Sequence, residues 1–175
     1  MPELLIEGAK VALRRFSAGD IGDDYLGWLN DPLLMRYSNQ RFAHHNRQSS
    51  LRYLASFEDS PNFFLSVRDR ANDRLLGTMT AYVSPHHGTA DMGILIGAAE
   101  ARGRGVGLDA WCTLMAWLLA KQGLRKVTAG TLACNTSMLR LVHDSGMEAE
   151  GVRRQQEIVN GAPQDILYFA RFRDA

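Results

Sequence analysis

The chain has 175 residues, 46% of them hydrophobic, which predicts one globular domain over residues 1–175 that buries roughly 70% of its unfolded surface. Its 20 lysines and arginines nearly balance its 19 aspartates and glutamates, leaving a formal net charge of +1. These values exclude a disordered chain and the basic surface typical of nucleic-acid-binding proteins.

The two cysteines, Cys112 and Cys134, have neither the spacing of metal ligands nor the pattern of a secreted disulfide domain. We therefore expect two free thiols and no bound metal. The amino terminus lacks a basic region followed by an apolar stretch, and no apolar run is long enough to cross a bilayer. The sequence thus predicts a cytoplasmic protein without membrane contact.

Hydrophobic periodicity and turn residues predict strands and helices in an order typical of an α+β domain with one mixed sheet. The predicted strands are 10–16, 62–68, 75–84, 89–96, 126–132 and a pair within 152–172 that turns at Asn160-Gly161. The predicted helices are 20–30, 46–58, an apolar helix that ends near Gly123, and 136–144.

The glycine run of residues 102–107 lies between an apolar strand and an apolar helix. Its alternating glycines permit positive φ and close approach of a ligand, and the first amides of the helix have no intrahelical partner. The helix dipole adds roughly half a positive charge there, to which two arginines can add more. The run therefore predicts an anion site suited to a diphosphate; its residues are Arg102, Gly103, Arg104, Gly105, Val106 and Gly107.

Two common phosphate-binding motifs do not fit this run. A dinucleotide-binding G-x-G-x-x-G/A motif counted from Gly103 would end at Leu108, and no acidic residue closes the next strand. A P-loop needs Lys and Ser or Thr after its last glycine, whereas Gly107 is followed by Leu108 and Asp109.

The remaining pattern, R-x-x-G-x-G at a strand-to-helix junction, resembles the GNAT superfamily of acetyl-CoA-dependent N-acyltransferases. The similarity extends to segments 93–97, 123–127 and 135–151. It implies the GNAT fold, with a single mixed, mostly antiparallel sheet of about seven strands flanked by four helices. It also implies transfer of an acetyl group from acetyl-CoA to a primary amine in a ternary complex.

The resemblance further implies which residues bind acetyl-CoA. The amides from Arg104 to Gly107 would hold the pyrophosphate, and the strand edge at Leu95 and Ile96 would pair with the pantetheine arm and polarise the thioester carbonyl. Asn135 matches a family position that contacts the coenzyme arm or the reacting centre. The residues alone equally predict that Asn135 is a helix N-cap.

An amine with a pKa of about 8 to 10 must lose a proton before it attacks the thioester. Four residues could supply the base: Asp91 at the start of a strand, His86 and His87 in the preceding turn, and Glu157 on a late strand. The alternatives are a strand-end cap for Asp91, a solvated turn for the histidines and an exposed strand charge for Glu157.

Many family members carry a tyrosine in the fourth helix, where its hydroxyl protonates the leaving thiolate, but this chain has Val142 there. Ser137, His143 or Tyr168 could substitute, or water could serve, because a thiolate with a pKa of about 8.5 leaves with little help. Tyr168 is equally explained as packing in an alternating strand.

The connection between the first two helices is rich in aromatic and hydrogen-bonding side chains, which suit a polar acceptor. The alternative is a solvated loop with a buried tryptophan. The predicted substrate-binding residues are Trp28, Tyr37, Asn39, Arg41 and His44.

Segment 25–32 resembles two branches of the superfamily: the acetyltransferases of ribosomal-protein N-termini and those of nucleotide-linked amino sugars. Arg41 and the histidines at 44 and 45 favour an amino-sugar nucleotide or another small amine, and a protein N-terminus is the alternative. A non-catalytic acyl-CoA sensor on the same fold is the alternative of another class. By analogy with relatives, the final strands would exchange or pair across a homodimer.

Overall fold

The computed structural model describes residues 4–174, and within them the chain forms one eight-stranded sheet and four α-helices. No helix in this part is long and apolar enough to cross a membrane. The strands are β1 (Leu5–Glu7), β2 (Val11–Arg15), β3 (Phe63–Asp69), β4 (Leu75–Ser84), β5 (Thr89–Ile96), β6 (Lys126–Leu132), β7 (Glu148–Val159) and β8 (Ala162–Phe172). The helices are α1 (Asp23–Asn30), α2 (Arg47–Ala55), α3 (Val106–Ala120) and α4 (Thr136–Asp144).

The sheet order is β1-β2-β3-β4-β5-β6-β8-β7, and the β5–β6 pair is parallel whereas the other neighbouring pairs are antiparallel. β5 pairs with β4 along its whole length, from Thr89 to Ile96. It pairs with β6 only from Thr89 to Asp91. Beyond Asp91 the two strands separate, which leaves one edge of β5 free of its neighbour from Met92 onward.

The helices cover opposite faces of the sheet. Successive residues of a strand point to opposite faces, and on β3 Phe63 meets Trp117 of α3 whereas Phe64 stacks on Phe16 and Phe57 near α1 and α2. The α3 face holds the larger core, centred on the fully buried Trp111. The gap beside β5 therefore lies between two helical layers.

Glycines allow the backbone at the end of β5 to pack closely against its neighbours. The amides of Gly97 and Ala98 both donate to the carbonyl oxygen of Leu76, at 3.0 Å each. A Cβ at Gly77 would overlap the carbonyl oxygen of Leu95, and a Cβ at Gly97 would overlap the ring of Trp28. Close approach at both positions thus depends on the missing side chain.

The predicted α+β class and the mixed, mostly antiparallel sheet are confirmed, with eight strands instead of about seven. Four elements have the predicted bounds: 75–84, 89–96, 126–132 and 136–144. The predicted hairpin turn is also confirmed, since Asn160 and Gly161 have φ values of 50° and 77°.

One strand was not predicted, and three predicted bounds were wrong by three or more residues. The three-residue β1 is too short to give a periodic signal, and β7 begins at Glu148 rather than 152 because its first residues are all exposed and do not alternate. α1 begins at Asp23 because the preceding residues form a 3-10 turn at Ala18–Asp20, and α2 ends at Ala55 rather than 58.

Replacement of Gly77 by alanine should lower the free energy of unfolding by about 2 kcal/mol, because β4 and β5 must move apart to relieve the overlap. Gly27→Ala is the matched control, since Gly27 is exposed in α1 with no neighbour of its Cβ within 4 Å. It should raise stability by about 0.5–1 kcal/mol through helix propensity. Urea unfolding measures both; an unchanged midpoint for Gly77→Ala would contradict the close approach.

Candidate functional site

The glycine loop, Arg102–Gly107, runs from the end of β5 into α3. Gly103 and Gly105 have φ values of 70° and 76°, and Gly105 is the N-cap of the helix without a side-chain cap. Within residues 4–174, the amide of Arg102 donates to Ala99 O, and the next amide with a main-chain acceptor is that of Asp109, which donates to Gly105 O. The amides from Gly103 to Leu108 therefore remain available to an anion at the positive end of the helix dipole.

The two arginines of the glycine loop are turned toward main-chain carbonyls. Nη2 of Arg102 donates to Gly97 O at 2.7 Å, and Nη1 of Arg104 donates to Glu100 O at 3.4 Å. They contribute positive charge to the loop, but the structure directs both guanidinium groups back along the chain.

A lysine distant in sequence also reaches the glycine loop. Nζ of Lys10, in the turn between β1 and β2, donates to Arg104 O at 2.6 Å. The turn is attached to α3 by the carboxylate of Asp109, which accepts the amides of Ala9, Lys10 and Val11 at 3.1, 2.7 and 3.1 Å. Sequence reasoning missed Lys10 and Asp109 because about a hundred positions separate them and neither carries a local motif.

A cavity of about 400 Å³ lies between β4 and β5 on one side and the first two helices and their connection on the other. Among the described residues that line it there is no Asp, Glu, Lys or Arg, so its polar groups are hydroxyls, one amide and two imidazoles. The lining residues are Tyr25, Leu29, Met35, Ser38, Gln40, Ala43, His44, His45, Ser49, Ser50, Tyr53, Phe64, Thr78, Met79, Thr80, Gly93, Ile94 and Leu95.

Both tyrosines of the cavity wall stay neutral. Burial raises the pKa of Tyr25 to about 12. Burial also raises the pKa of Tyr53, and the hydroxyl of Tyr82, 2.8 Å away, raises it further. At physiological pH these phenols are hydrogen-bonding groups, not bases.

Of the five predicted substrate-binding residues, His44 lines the cavity and the others do not. Trp28 packs under Gly97 and against the core, as the alternative interpretation of a buried tryptophan had it. Tyr37 lies under the guanidinium of Arg36, 4.6 Å from its ring centroid.

Asn39 and Arg41 attach the helix connection to the late strand β7. Nδ2 of Asn39 donates to Oε1 of Glu157 at 3.1 Å, and Arg41 donates to the carbonyl oxygens of Ile158 and Ser38 at 3.1 and 2.8 Å. The Arg41 guanidinium also lies 4.2 Å from the ring centroid of Phe42. These side chains therefore hold the helix connection, which covers the cavity, against β7.

Asp91 lies where β5 and β6 separate. It is the last β5 residue paired with β6, and its Oδ1 accepts a 2.8 Å hydrogen bond from Oγ1 of Thr128. Burial raises the pKa of this carboxyl above its usual range, and the hydrogen bond from Thr128 opposes the rise. Asp91 is nevertheless an exposed residue of β5. Asp91 shares a face of β5 with Gly93 and Leu95, which line the cavity.

The other predicted catalytic residues lie outside the cavity lining. Tyr168 faces Gly130 across the β6–β8 pair, and the guanidinium of Arg153 lies 5.3 Å from its ring centroid. His86 and His87 lie in the β4–β5 turn, where Arg125 donates to the carbonyl oxygen of His87 at 2.7 Å.

In α4, Asn135 is the N-cap and its Oδ1 accepts the amide of Met138 at 3.3 Å. Val142 is fully buried in the core below, so the position that carries tyrosine in relatives serves packing here. Ser137 and His143 are exposed, and Nδ1 of His143 lies 3.1 Å from Asp144.

The chain resembles known proteins in sequence pattern and in fold. Residues 10–148 match the family model described as acetyltransferase (GNAT) domain. No curated protein sequence matches the chain significantly.

Several solved structures share the fold at low sequence identity. An acetyltransferase of the GNAT family from Bacillus anthracis has a TM-score of 0.83 at 16% identity, covering 98% of this chain and 100% of its own. Spermidine N-acetyltransferase from Vibrio cholerae, solved with CoA and spermine, has a TM-score of 0.81 at 20% identity, covering 94% and 96%. The ribosomal L7/L12 alpha-N-protein acetyltransferase RimL, solved with coenzyme A, has a TM-score of 0.83 at 14% identity, covering 98% and 99%.

Proposed function

Because the chain belongs to the GNAT family of acetyl-CoA-dependent N-acetyltransferases, we propose that it acetylates a small primary amine whose remaining atoms carry no charge. The observation that supports this acceptor class is the cavity beside β5, whose described lining residues include no Asp, Glu, Lys or Arg. An ammonium or phosphate group buried there would lose its hydration without gaining an ionic partner.

We propose that the amides from Arg104 to Gly107 hold the pyrophosphate of acetyl-CoA and that the free edge of β5 at Leu95 and Ile96 binds the pantetheine arm. The unpartnered amides of the glycine loop and the early end of the β5–β6 pairing support this placement. Two structures of the same fold were solved with CoA, which also supports it. The thioester would then lie near the point where the strands separate, beside the cavity.

The apolar wall of the cavity favours the neutral form of the amine, because desolvation lowers the pKa of an ammonium group. The nitrogen forms a bond to the thioester carbonyl carbon, and the carbonyl oxygen gains negative charge that a β5 amide can stabilise. The addition gives a tetrahedral intermediate, whose collapse breaks the carbon–sulfur bond. With Val142 in place of a phenol, the sulfur leaves as a thiolate or takes a proton from water, which its pKa of about 8.5 permits.

We propose Asp91 as the base that accepts the proton of the attacking nitrogen, directly or through water. It stands at the separation of β5 and β6, on the face of β5 that borders the cavity, and its carboxyl pKa is raised by burial. A raised pKa makes a carboxylate a stronger base.

The same contacts weigh against the other acceptors. The case for a nucleotide-linked amino sugar depended on Arg41 and on the histidines at 44 and 45. Both histidines line the cavity, but the Arg41 guanidinium, the one permanent cation of the three, donates to two main-chain carbonyls and stacks on Phe42. A polyamine needs carboxylates for its additional ammonium groups. A protein N-terminus remains the alternative within the family, and the acceptor screen below includes it.

An acceptor screen tests the proposed substrate class. Purified protein with acetyl-CoA should release free thiol fastest with an alkyl or arylalkyl primary amine that carries no other charged group. The kcat/KM for that amine should exceed the value for spermidine by about tenfold or more, because spermidine would bury unpaired charge. A higher kcat/KM for spermidine, an N-terminal peptide or a nucleotide-linked amino sugar would contradict the proposed class.

Gly105→Val should raise the dissociation constant of acetyl-CoA by at least about tenfold, because a β-branched side chain disfavours positive φ and blocks close approach to the amides. Gly161→Val is the matched control: Gly161 has a similar φ of 77° but lies in the β7–β8 turn. It should carry similar backbone strain and leave coenzyme affinity unchanged. Calorimetric titration measures both variants, and equal affinity for the two would contradict the pyrophosphate placement.

Asp91→Asn should lower kcat by about a hundredfold with little change in KM, since the amide cannot accept the proton. Because the base acts in its ionised form, wild-type kcat should fall as the pH drops through the raised pKa, above the ordinary value of 3.8. Glu157→Gln is the control, because glutamine can still accept the hydrogen bond from Asn39. A larger loss of kcat in Glu157→Gln than in Asp91→Asn would contradict the assignment of Asp91 as the base.

A further inference from the structure

Lys10 places an ammonium group at the glycine loop from a different part of the sheet. Its Nζ lies 2.6 Å from Arg104 O and 3.0 Å from the position that a Cβ of Gly105 would take. We propose that Lys10 binds the diphosphate of acetyl-CoA, as a cation supplied by the β1–β2 turn. This inference rests on the proposed placement of the pyrophosphate at the glycine loop.

The main chain, not the lysine side chain, fixes the turn at this site. The carboxylate of Asp109 accepts three consecutive amides of the turn, at Ala9, Lys10 and Val11. A Cβ at Gly8 would lie 2.6 Å from Oγ1 of Thr113 and 2.7 Å from Oδ2 of Asp109, so the turn packs directly on α3. The lysine side chain can therefore be changed without removing the contacts that hold the turn.

The charges around the loop explain why an additional cation is needed. Asp109 carries a negative charge in the first turn of α3, where it weakens the attraction of the helix terminus for an anion. Glu100, just before the loop, is paired with Arg74, and Glu7 at the β1 end of the turn is paired with Arg70. Lys10 thus offsets Asp109 at the point where the phosphates would bind.

The hydrogen-bonding capacity of Lys10 also suits this role. An ammonium group has three donors, and the contact with Arg104 O uses one of them. That acceptor is an uncharged carbonyl, so among residues 4–174 the positive charge at Nζ has no ionic partner. Arg102 and Arg104 instead direct donors to Gly97 O and Glu100 O. Lys10 therefore has donors and charge left for a phosphate oxygen beside Gly105.

Calorimetric titration of Lys10→Met with CoA and with dephospho-CoA, which lacks the 3′-phosphate, tests the assignment. The dissociation constants of both ligands should rise by about tenfold, because a charge-assisted hydrogen bond to the shared diphosphate is lost. Their dependence on salt concentration should also become weaker. Lys10→Arg should keep most of the affinity, since it retains the charge. Lys121→Met, which removes an exposed lysine at the far end of α3, should change neither constant.

Unchanged affinity in Lys10→Met would overturn the inference. A loss seen with CoA but not with dephospho-CoA would also overturn it, since the contact would then be with the 3′-phosphate. Lys10→Gln provides a second variant, and thermal unfolding of each variant must match the wild type. Gly105→Val separates the two proposals: if it weakens CoA binding while Lys10→Met does not, only the role of Lys10 fails.

Discussion

The early end of the β5–β6 pairing is the constraint on which the rest of the site depends. The parallel register holds only from Thr89 to Asp91, so each later residue of β5 keeps β4 on one side and has no strand on the other. The chain leaves the end of β5 through the glycine loop, and α3 then returns it to β6, which runs parallel to β5. Its free amide groups consequently lie at one end of an open strand edge, and Asp91 lies at the other. The early separation of β5 and β6 thus places the proposed anion site, the free main-chain edge of β5 and the carboxylate of Asp91 along one line.

Packing at the end of β5 links this edge to the helices on the opposite face. The carbonyl oxygen of Leu76 accepts two successive amides, which turns the chain sharply out of the sheet toward the glycine loop. Gly97 meets the ring of Trp28 at this turn, so α1 supports the segment that leads into α3. A side chain at Gly77 or Gly97 would separate these layers. The geometry of the glycine loop therefore depends on residues on the side of β5 where the acceptor is proposed to bind.

Local patterns predicted much of this architecture, because the glycine loop, the Asn160-Gly161 turn and four elements depend on near neighbours in the sequence. The cavity lining and the position of Lys10 depend on contacts across the sheet, and no local pattern carries that information. Arg41 illustrates a different limit. Its residue type predicts a positive charge, but whether that charge meets a substrate or a main-chain carbonyl depends on where β7 ends.

The distribution of charge across the two sides of β5 matches what the reaction requires of each. At the proposed coenzyme side, amides, the helix terminus and Lys10 would face a ligand that carries its charge throughout the reaction. On the cavity side, carboxylates around the acceptor nitrogen would hold it as an ammonium ion, which cannot attack a carbonyl carbon. A neutral wall with Asp91 at its border avoids this, because the proton leaves only where the nitrogen meets the thioester. The absence of Asp, Glu, Lys and Arg from the described lining of the cavity is therefore as important to the proposed catalysis as the positive charges of the glycine loop.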